Sequence, residues 1–338
     1  MAQGAEGIAV GLSTKILPHN FNELLLASVA YLKGKKFTLY PDFQTGGIID
    51  VQNYNDGIRG GKVRVRAKIN VRDKNTLVIN EIPFSTTTSS LIDSILKAND
   101  KGKIKIKKIE DNTAAEVEIL VHLPAGISPD KTIDALFAFT SCESSISPLG
   151  CVIIDHKPQF IGVTEMLKIS TDTTVSTLKK ELAYKLQELE NQWHYASLER
   201  IFIENKVYRL IEEEETWEGV LKAIDNGIKP FIAHLKRPVI EEDLVRLTEI
   251  RIKRISKFDI DKAQLRIDAL EGEIAGVKHH LDNLIDFAID YFNTLKKEYG
   301  KGKERKSEIR TFDDVDAKKV VVRNLKLYVN REEGFVGT

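Results

Sequence analysis

The sequence has few cysteines, no long apolar run and no net charge, and each deficit excludes a class of protein. Cys142 and Cys151 are the only cysteines, and their spacing fits no metal motif, so we expect free thiols in a reducing compartment. No apolar run approaches the roughly 20 residues that a bilayer-spanning helix needs. The first residues also lack the basic and apolar pattern of a secretory leader. We therefore expect a cytoplasmic protein with no membrane contact.

The charge balance gives no direct indication of a partner. The chain has 50 basic and 50 acidic residues in a total of 338. Because these charges cancel, a nucleic-acid site would have to be a local basic surface. The length predicts about two or three domains.

A heptad pattern dominates the second half of the chain. Apolar residues alternate at spacings of three and four across residues 260–295, which is the 3.5-residue period of a coiled coil. Such a helix would be about 50 Å long and needs a partner. A second apolar pattern at 175–196 supplies one. We predict an antiparallel pair of long helices with a small helical tip between them; the alternative is two ordinary helices of a bundle.

Residues 37–165 show strand-like alternation. Residues 62–69 have period two, with apolar residues on one face and Lys62, Arg64 and Arg66 on the other. A helix is predicted at 88–99. The predicted fold class is therefore α+β multidomain: a mixed α/β module followed by a long antiparallel coiled coil with a helical tip.

Five short motifs identify a family. The chain reads GIAVG at 7–11 followed by PHN at 18–20, PDFQTGG at 41–47, RGGKVRVRA at 59–67, EIPF at 81–84 and LTEIRIKRI at 247–255. These motifs, in this order, resemble those of the A subunits of bacterial type IIA DNA topoisomerases, gyrase and topoisomerase IV. The variant around the first motif is more similar to topoisomerase IV. Gln44 and Phe84 depart from the family's usual proline and tyrosine.

The resemblance implies a domain order. Residues 1–36 would end the DNA-gate core, 37–165 would form the tower domain, and 166–203 with 259–299 would form the coiled-coil arm. Residues 204–258 would be the dimerising exit-gate tip, and 300–338 a linker and the start of a C-terminal β domain. The family's catalytic Arg-Tyr pair would lie before Gly4, where the chain has none. We therefore expect no DNA cleavage by this chain alone.

The resemblance also implies residues that bind DNA. Ile8 would be a wedge that bends the gate duplex by entering a base step; without the flanking motif it would be interpreted as a core isoleucine. Phosphate contacts are predicted for Lys15, His19 and Asn20. Lys62, Arg64 and Arg66 would follow the arms of the bent duplex, although a solvated strand face explains them equally well.

The remaining expectations concern partners. A homodimer is predicted through Leu244, Leu247, Ile250, Ile252 and Ile255, with internal packing under the tip as the alternative. The resemblance assigns ATP and Mg²⁺ to the B subunit of the enzyme, and it assigns no cofactor or metal to this chain. The competing hypothesis is a structural coiled-coil dimerisation protein without a role on DNA.

Overall fold

The fold is that of a computed structural model, which describes residues 1–251, 255, 260–313, 328–330 and 334–337. The chain forms two compact units. Unit 1 contains residues 1–170 and 292–338, and unit 2 contains residues 171–291. Unit 2 is thus inserted into the sequence of unit 1.

The described elements are helices and short strands. The helices are α1 (Phe21–Leu32), α2 (Thr88–Asp100), α3 (Pro129–Phe139), α4 (Val163–Glu204), α5 (Trp217–Ile228), α6 (Glu241–Thr248), α7 (Ile260–Asp282) and α8 (Leu284–Tyr299). The first strands are β1 (Ala5–Ala9), β2 (Leu12–Ile16), β3 (Ile48–Asp50), β4 (Val63–Arg66), β5 (Lys68–Asp73), β6 (Thr76–Glu81) and β7 (Lys108–Asp111). The later strands are β8 (Ile119–His122), β9 (Glu143–Ile146), β10 (Cys151–Ile154), β11 (Lys157–Phe160), β12 (Glu308–Ile309), β13 (Tyr328–Asn330) and β14 (Phe335–Gly337).

Unit 1 contains two four-stranded sheets with separate cores. One sheet has the order β12-β3-β4-β9, and its core includes Phe43, Ile49, Val63 and Val65. The other has the order β5-β6-β8-β7 and packs against α2 and α3. The predicted helix at 88–99 is therefore confirmed as α2.

The strand predicted at 62–69 divides between the two sheets. Strand β4 ends at Arg66 and strand β5 begins at Lys68. Between them Ala67 is fully buried, and its amide donates to the carbonyl of Cys142 at 2.8 Å. The alternation continues across the break, so the sequence pattern does not reveal it.

Residues 300–313, where we predicted a linker, pack against the N-terminal segment of unit 1. Arg305 donates to both carboxylate oxygens of Glu23, at 2.6 and 2.5 Å. Asp42 accepts hydrogen bonds from the amides of Lys306 and Ser307. Strand β12 then runs parallel to β3. These contacts satisfy the charges that suggested a solvated linker, so the prediction of a linker is wrong for this stretch. The other predicted domain boundaries stay predictions.

The long helix α4 begins earlier than the heptad pattern. Asp56, in the left-handed region with φ 50°, accepts from the amide and the hydroxyl of Thr164 at 2.8–3.2 Å. A carboxylate at a helix N-terminus is favoured by the helix dipole and satisfies free amides. The loop at 55–57 therefore fixes where α4 starts.

In unit 2, helices α4 and α7 form an antiparallel seam. Trp193 Nε1 donates to Glu271 at 2.9 Å, and Lys278 pairs with Glu190 at 2.9 Å, so residue numbers rise on one helix as they fall on the other. The buried seam consists of Leu182, Leu189, Trp193, Ala196, Ile267, Leu270, Ile274 and Val277. The predicted fold class, an α+β module followed by a coiled coil, is confirmed.

One feature of the predicted second helix is wrong. Residues 260–295 form two helices, because α7 ends at Asp282 and α8 begins at Leu284. At the break, the side chain of Asn283 donates to the carbonyl of His279 at 2.9 Å. Asparagine favours such local bonds over a regular helix.

In the described part of the chain, no helix has both the length and the apolar content to cross a bilayer.

The seam can be tested at Ile274, which is buried. We expect Ile274→Asn to lower the free energy of unfolding by about 3 kcal/mol, because it leaves a polar amide in an apolar contact. Leu265 lies on the same helix with 68% of its surface exposed, so Leu265→Asn is the control. Urea unfolding followed by circular dichroism measures both. Equal effects of the two substitutions would contradict the seam.

Candidate nucleic-acid interface

The first motif forms a β-hairpin that projects Ile8 into solvent. Strands β1 and β2 pair antiparallel, with Ile8 opposite Ser13, and the turn is formed by Val10 and Gly11. Gly11 has φ +74°, a conformation that favours glycine. The side chain of Ile8 is 90% exposed. The alternative of a core isoleucine is therefore wrong, and a contact with DNA stays a prediction.

The base of this hairpin is fixed by backbone contacts. Lys15 and Leu149 exchange both backbone hydrogen bonds, at 2.7 and 3.0 Å. Gly4 has φ +72°, and a Cβ there would lie 2.7 Å from the carbonyl oxygen of Ile16. These constraints give the exposed Ile8 a defined position on the sheet.

Lys15 lies beside Ile8 on the accessible side of the hairpin. Its Nζ is 3.0 Å from Glu6 Oε1, and both side chains are partly exposed. An exposed ion pair contributes little to stability, so a phosphate can compete for the ammonium group. The predicted phosphate contact of Lys15 stays a prediction.

His19 and Asn20 are buried, which corrects their predicted phosphate contacts. His19 Nε2 lies 3.0 Å from the hydroxyl of Tyr54. Burial is the main cause that lowers the pKa of His19 to about 4, so the ring is neutral at pH 7. The side-chain Oδ1 of Asn20 caps α1 by accepting from the backbone amides of Asn22 and Glu23, and its Nδ2 donates to Asp42 Oδ2. Both residues support the hairpin from inside the fold.

Arg64 and Arg66 are also bound within the protein. Their Nε atoms donate to the two carboxylate oxygens of Glu143 on β9, at 2.9 and 2.6 Å. Both guanidinium groups lie over the ring of Phe312, and Arg66 also lies over Phe137. Glu143 and the aromatic rings therefore contact both arginines within the protein, and their predicted DNA-following role stays a prediction. Lys62 is exposed, and its predicted role remains untested.

The predicted dimer residues lie mainly inside unit 2. Leu244 and Leu247 of α6 are buried in a core with Ile224 and Ile228 of α5. The half-buried Ile250 and Ile255 pack against the same core, and Ile252 lies outside the described residues. Internal packing is therefore the correct interpretation for Leu244 and Leu247. The sequence could not show this, because an amphipathic helix has the same apolar pattern in a core and in an interface.

Unit 2 contains a buried polar cluster that the sequence did not reveal. The Nε2 atom of His194 lies 3.2 Å from Asp243 Oδ2. Arg237 donates two hydrogen bonds to the same carboxylate, at 2.7 and 2.9 Å. Burial, followed by the charge of Arg237, lowers the pKa of His194. Burial raises the pKa of Asp243, but the hydrogen bonds from Arg237 and the amide of Ile240 outweigh it, and the net shift is downward. The cluster is a structural support.

A second hairpin, β10–β11, was also missed. Its turn residues, Asp155 and His156, both have positive φ, of 49° and 63°. Two such residues form the turn of a tight hairpin, a position where Asn-Gly is the usual signal. Asp-His is a weak signal for this turn, which is why the sequence did not indicate the hairpin.

Comparisons with known proteins agree on one family. The model of the family formed by the A subunits of DNA gyrase and topoisomerase IV matches residues 1–293. The chain is 39% identical to the A subunit of DNA topoisomerase 4 from Borreliella burgdorferi, over 100% of this chain and 54% of that protein. It is 23% identical to the DNA gyrase A subunit of Brachyspira hyodysenteriae, over 91% of this chain and 38% of that protein. The chloroplastic/mitochondrial DNA gyrase A subunit of Arabidopsis thaliana is 25% identical, over 99% of this chain and 37% of that protein. The chain thus spans about half the length of these relatives, or less.

The buried state of His19 predicts a pH dependence of stability. Its pKa is about 4 in the folded protein and 6.5 in the unfolded chain, so only the unfolded chain gains a proton between these values. The stability contributed by neutral His19 is present above pH 6.5 and is lost as the pH falls to 4. The loss is about 3 kcal/mol.

Urea unfolding between pH 4.5 and 7.5 measures this effect. We expect His19→Gln to flatten the pH dependence, whereas His156→Gln, at an exposed histidine, should retain that of the wild type. An unchanged slope in His19→Gln would show that folding does not lower the pKa of His19.

Proposed function

Because the chain belongs to the family of DNA gyrase and topoisomerase IV A subunits, we propose that it supplies the DNA-bending hairpin and coiled-coil arm of a type II DNA topoisomerase. The family resemblance inferred from the motifs is confirmed. So is the greater similarity to topoisomerase IV, since the topoisomerase 4 relative is 39% identical and the gyrase relatives are 23% and 25% identical. The competing hypothesis of a structural coiled-coil protein without a role on DNA is not favoured.

The whole enzyme would pass one duplex through a break in another. In this proposal the A subunit cuts both strands of a gate duplex, a second duplex passes, and the break is resealed. ATP and Mg²⁺ are assigned to a partner B subunit, and the enzyme acts in the cytoplasm. We propose that this chain binds and bends the gate duplex but does not cut it alone. A plasmid relaxation assay with and without an added B subunit tests the last point.

The exposed Ile8 is the observation that carries the proposal. An isoleucine with 90% of its surface in water, next to a fully exposed Val10, is typical of a surface that binds a partner. Inserting an apolar side chain into a base step costs a few kcal/mol of stacking, which contacts along the bent duplex offset. Because the hairpin projects from unit 1, Ile8 can enter a base step while the rest of unit 1 stays outside the duplex.

The proposal also includes a homodimer formed by the tip of unit 2. Since Leu244 and Leu247 are internal, we propose that the outer face of α6 forms the contact. This face contains the half-buried Val245, and the exposed Ile240 immediately precedes the helix. Glu241, Glu242 and Arg246 lie beside them. An apolar centre with a charged rim is the usual composition of an interface.

The wedge is tested by Ile8→Ala. We expect this substitution to abolish most DNA bending and to weaken binding about tenfold, because the unstacked base step loses its apolar filler. Energy transfer between dyes at the two ends of a short duplex measures bending, and anisotropy measures affinity.

Val71→Ala removes a partly exposed apolar side chain from strand β5 and is the matched control. Full bending by Ile8→Ala would exclude the wedge. Failure of the wild type to bind a nicked or intact duplex would count against the proposed function as a whole.

The dimer is tested by Ile240→Asp. We expect the wild-type chain to sediment as a dimer and Ile240→Asp to shift it to a monomer, because a carboxylate would be buried without a partner. Leu265→Asp, on the exposed side of α7, is the control. A dimer that survives Ile240→Asp would exclude this face of α6.

A further inference from the structure

The two hairpins of unit 1 lie side by side and point in one direction. Strand β2 is joined to the start of the second hairpin by the backbone pair of Lys15 and Leu149, and Cys151 N donates to Thr14 Oγ1 at 3.2 Å. Residue numbers therefore rise along β10 as they fall along β2. The turn of β1–β2 and the turn of β10–β11 consequently lie at the same end of the pair.

The second hairpin exposes large apolar side chains on one of its faces. Cys151 is opposite Phe160, and Ile153 is opposite Pro158, so these four residues share a face. Ile153 is 69% exposed and Phe160 is 55% exposed. Solvent-exposed apolar residues in adjacent positions are typical of a binding surface rather than of a bare strand face.

A cleft of about 510 Å³ joins this face to the first hairpin. It is lined by Gly11, Leu12, Ser13, Leu149, Phe160 and Arg59. Ser13 is the cross-strand neighbour of Ile8, so the cleft begins beside the proposed wedge.

Backbone hydrogen bonds fix the turn that carries Arg59. Gly61 N donates to Ile58 O at 3.0 Å, and Gly150 N donates to Gly57 O at 3.1 Å. A Cβ on Gly61 would overlap the carbonyl oxygen of Tyr54, so the turn closes only with glycine at this position. Arg59 is therefore presented at the cleft from a rigid turn.

The charges around the cleft are mainly positive. Arg59 and Lys157 are exposed, and neither forms an ion pair within the described part of the chain. The acids of these hairpins and of the Arg59 loop are Asp155, Glu6 and Asp56. Glu6 pairs with Lys15, and the Asp56 carboxylate accepts from Thr164. An arginine beside an aromatic ring can bind a phosphate through its N–H groups while the ring contacts a sugar.

We infer that the sugar–phosphate backbone of the gate duplex lies in this cleft, with Arg59 as a phosphate ligand and Phe160 and Ile153 as apolar contacts. This inference rests on the proposed function, because the duplex that Ile8 enters is the occupant. The β10–β11 hairpin would then hold the DNA strand next to the base step that Ile8 unstacks. Arg59 acts as a positioning residue that fixes where Ile8 enters.

The salt dependence of DNA binding tests the role of Arg59. Each phosphate contact contributes about 0.9 to the slope of log affinity against log salt concentration. We expect Arg59→Gln to reduce this slope by about 0.9 and to weaken binding several-fold. Phe160→Ser should weaken binding while leaving the slope unchanged. Ile8→Ala should lose bending while keeping the wild-type slope.

Arg209→Gln is the matched control, because Arg209 is an exposed arginine in unit 2. Thermal unfolding of each variant confirms that it is folded. If the wild type binds and bends DNA but Arg59→Gln keeps the full slope, the inference is overturned and the proposed function stands. If the wild type does not bind DNA, both are overturned.

Discussion

The antiparallel packing of α4 against α7 is the constraint on which the described architecture depends. An insertion of 121 residues, 171–291, must leave its host and return to it, and two helices that run in opposite directions allow both. The seam runs antiparallel, since Trp193 bonds Glu271 and Glu190 pairs with Lys278. After the insertion, Arg305 binds Glu23 and the amide of Ser307 binds Asp42, and strand β12 then pairs with β3.

Long periodic patterns were the most predictable part of the fold. The seam could be inferred because a 3.5-residue period has few alternative explanations. Its interruption at Asn283 could not, because one polar residue does not disturb the period. The change of sheet at Ala67 was hidden for the same reason: a strand that crosses from one sheet to another keeps its alternation. Sequence patterns record which side of an element is apolar, and they do not record which element covers it.

The site illustrates the same limit with polar residues. The position of Ile8 followed from its motif, and its exposure agrees with that prediction. Lys15, His19 and Asn20 are polar neighbours in one motif, but the hairpin ends between them, so Lys15 is partly exposed and the other two are buried. Arg64 and Arg66 could not be distinguished from a DNA-binding face, because Glu143 and Phe312 lie 77 or more residues away in sequence. The function of a charged side chain can be assigned only after its nearest partners in the fold are known.

The return of residues 300–313 has a consequence for biosynthesis. Asp50 accepts from the amide of Phe312, and Glu23 accepts from Arg305. The β12-β3-β4-β9 sheet therefore lacks its edge strand and these hydrogen-bond donors until the ribosome has translated more than 250 further codons. At about 5–20 residues per second this interval is roughly 15–50 s. During that time residues 171–291 are completed, before residues 300–313 exist, and the inserted unit can form its own core. Unit 1 begins first in the sequence, but unit 2 can complete its fold first.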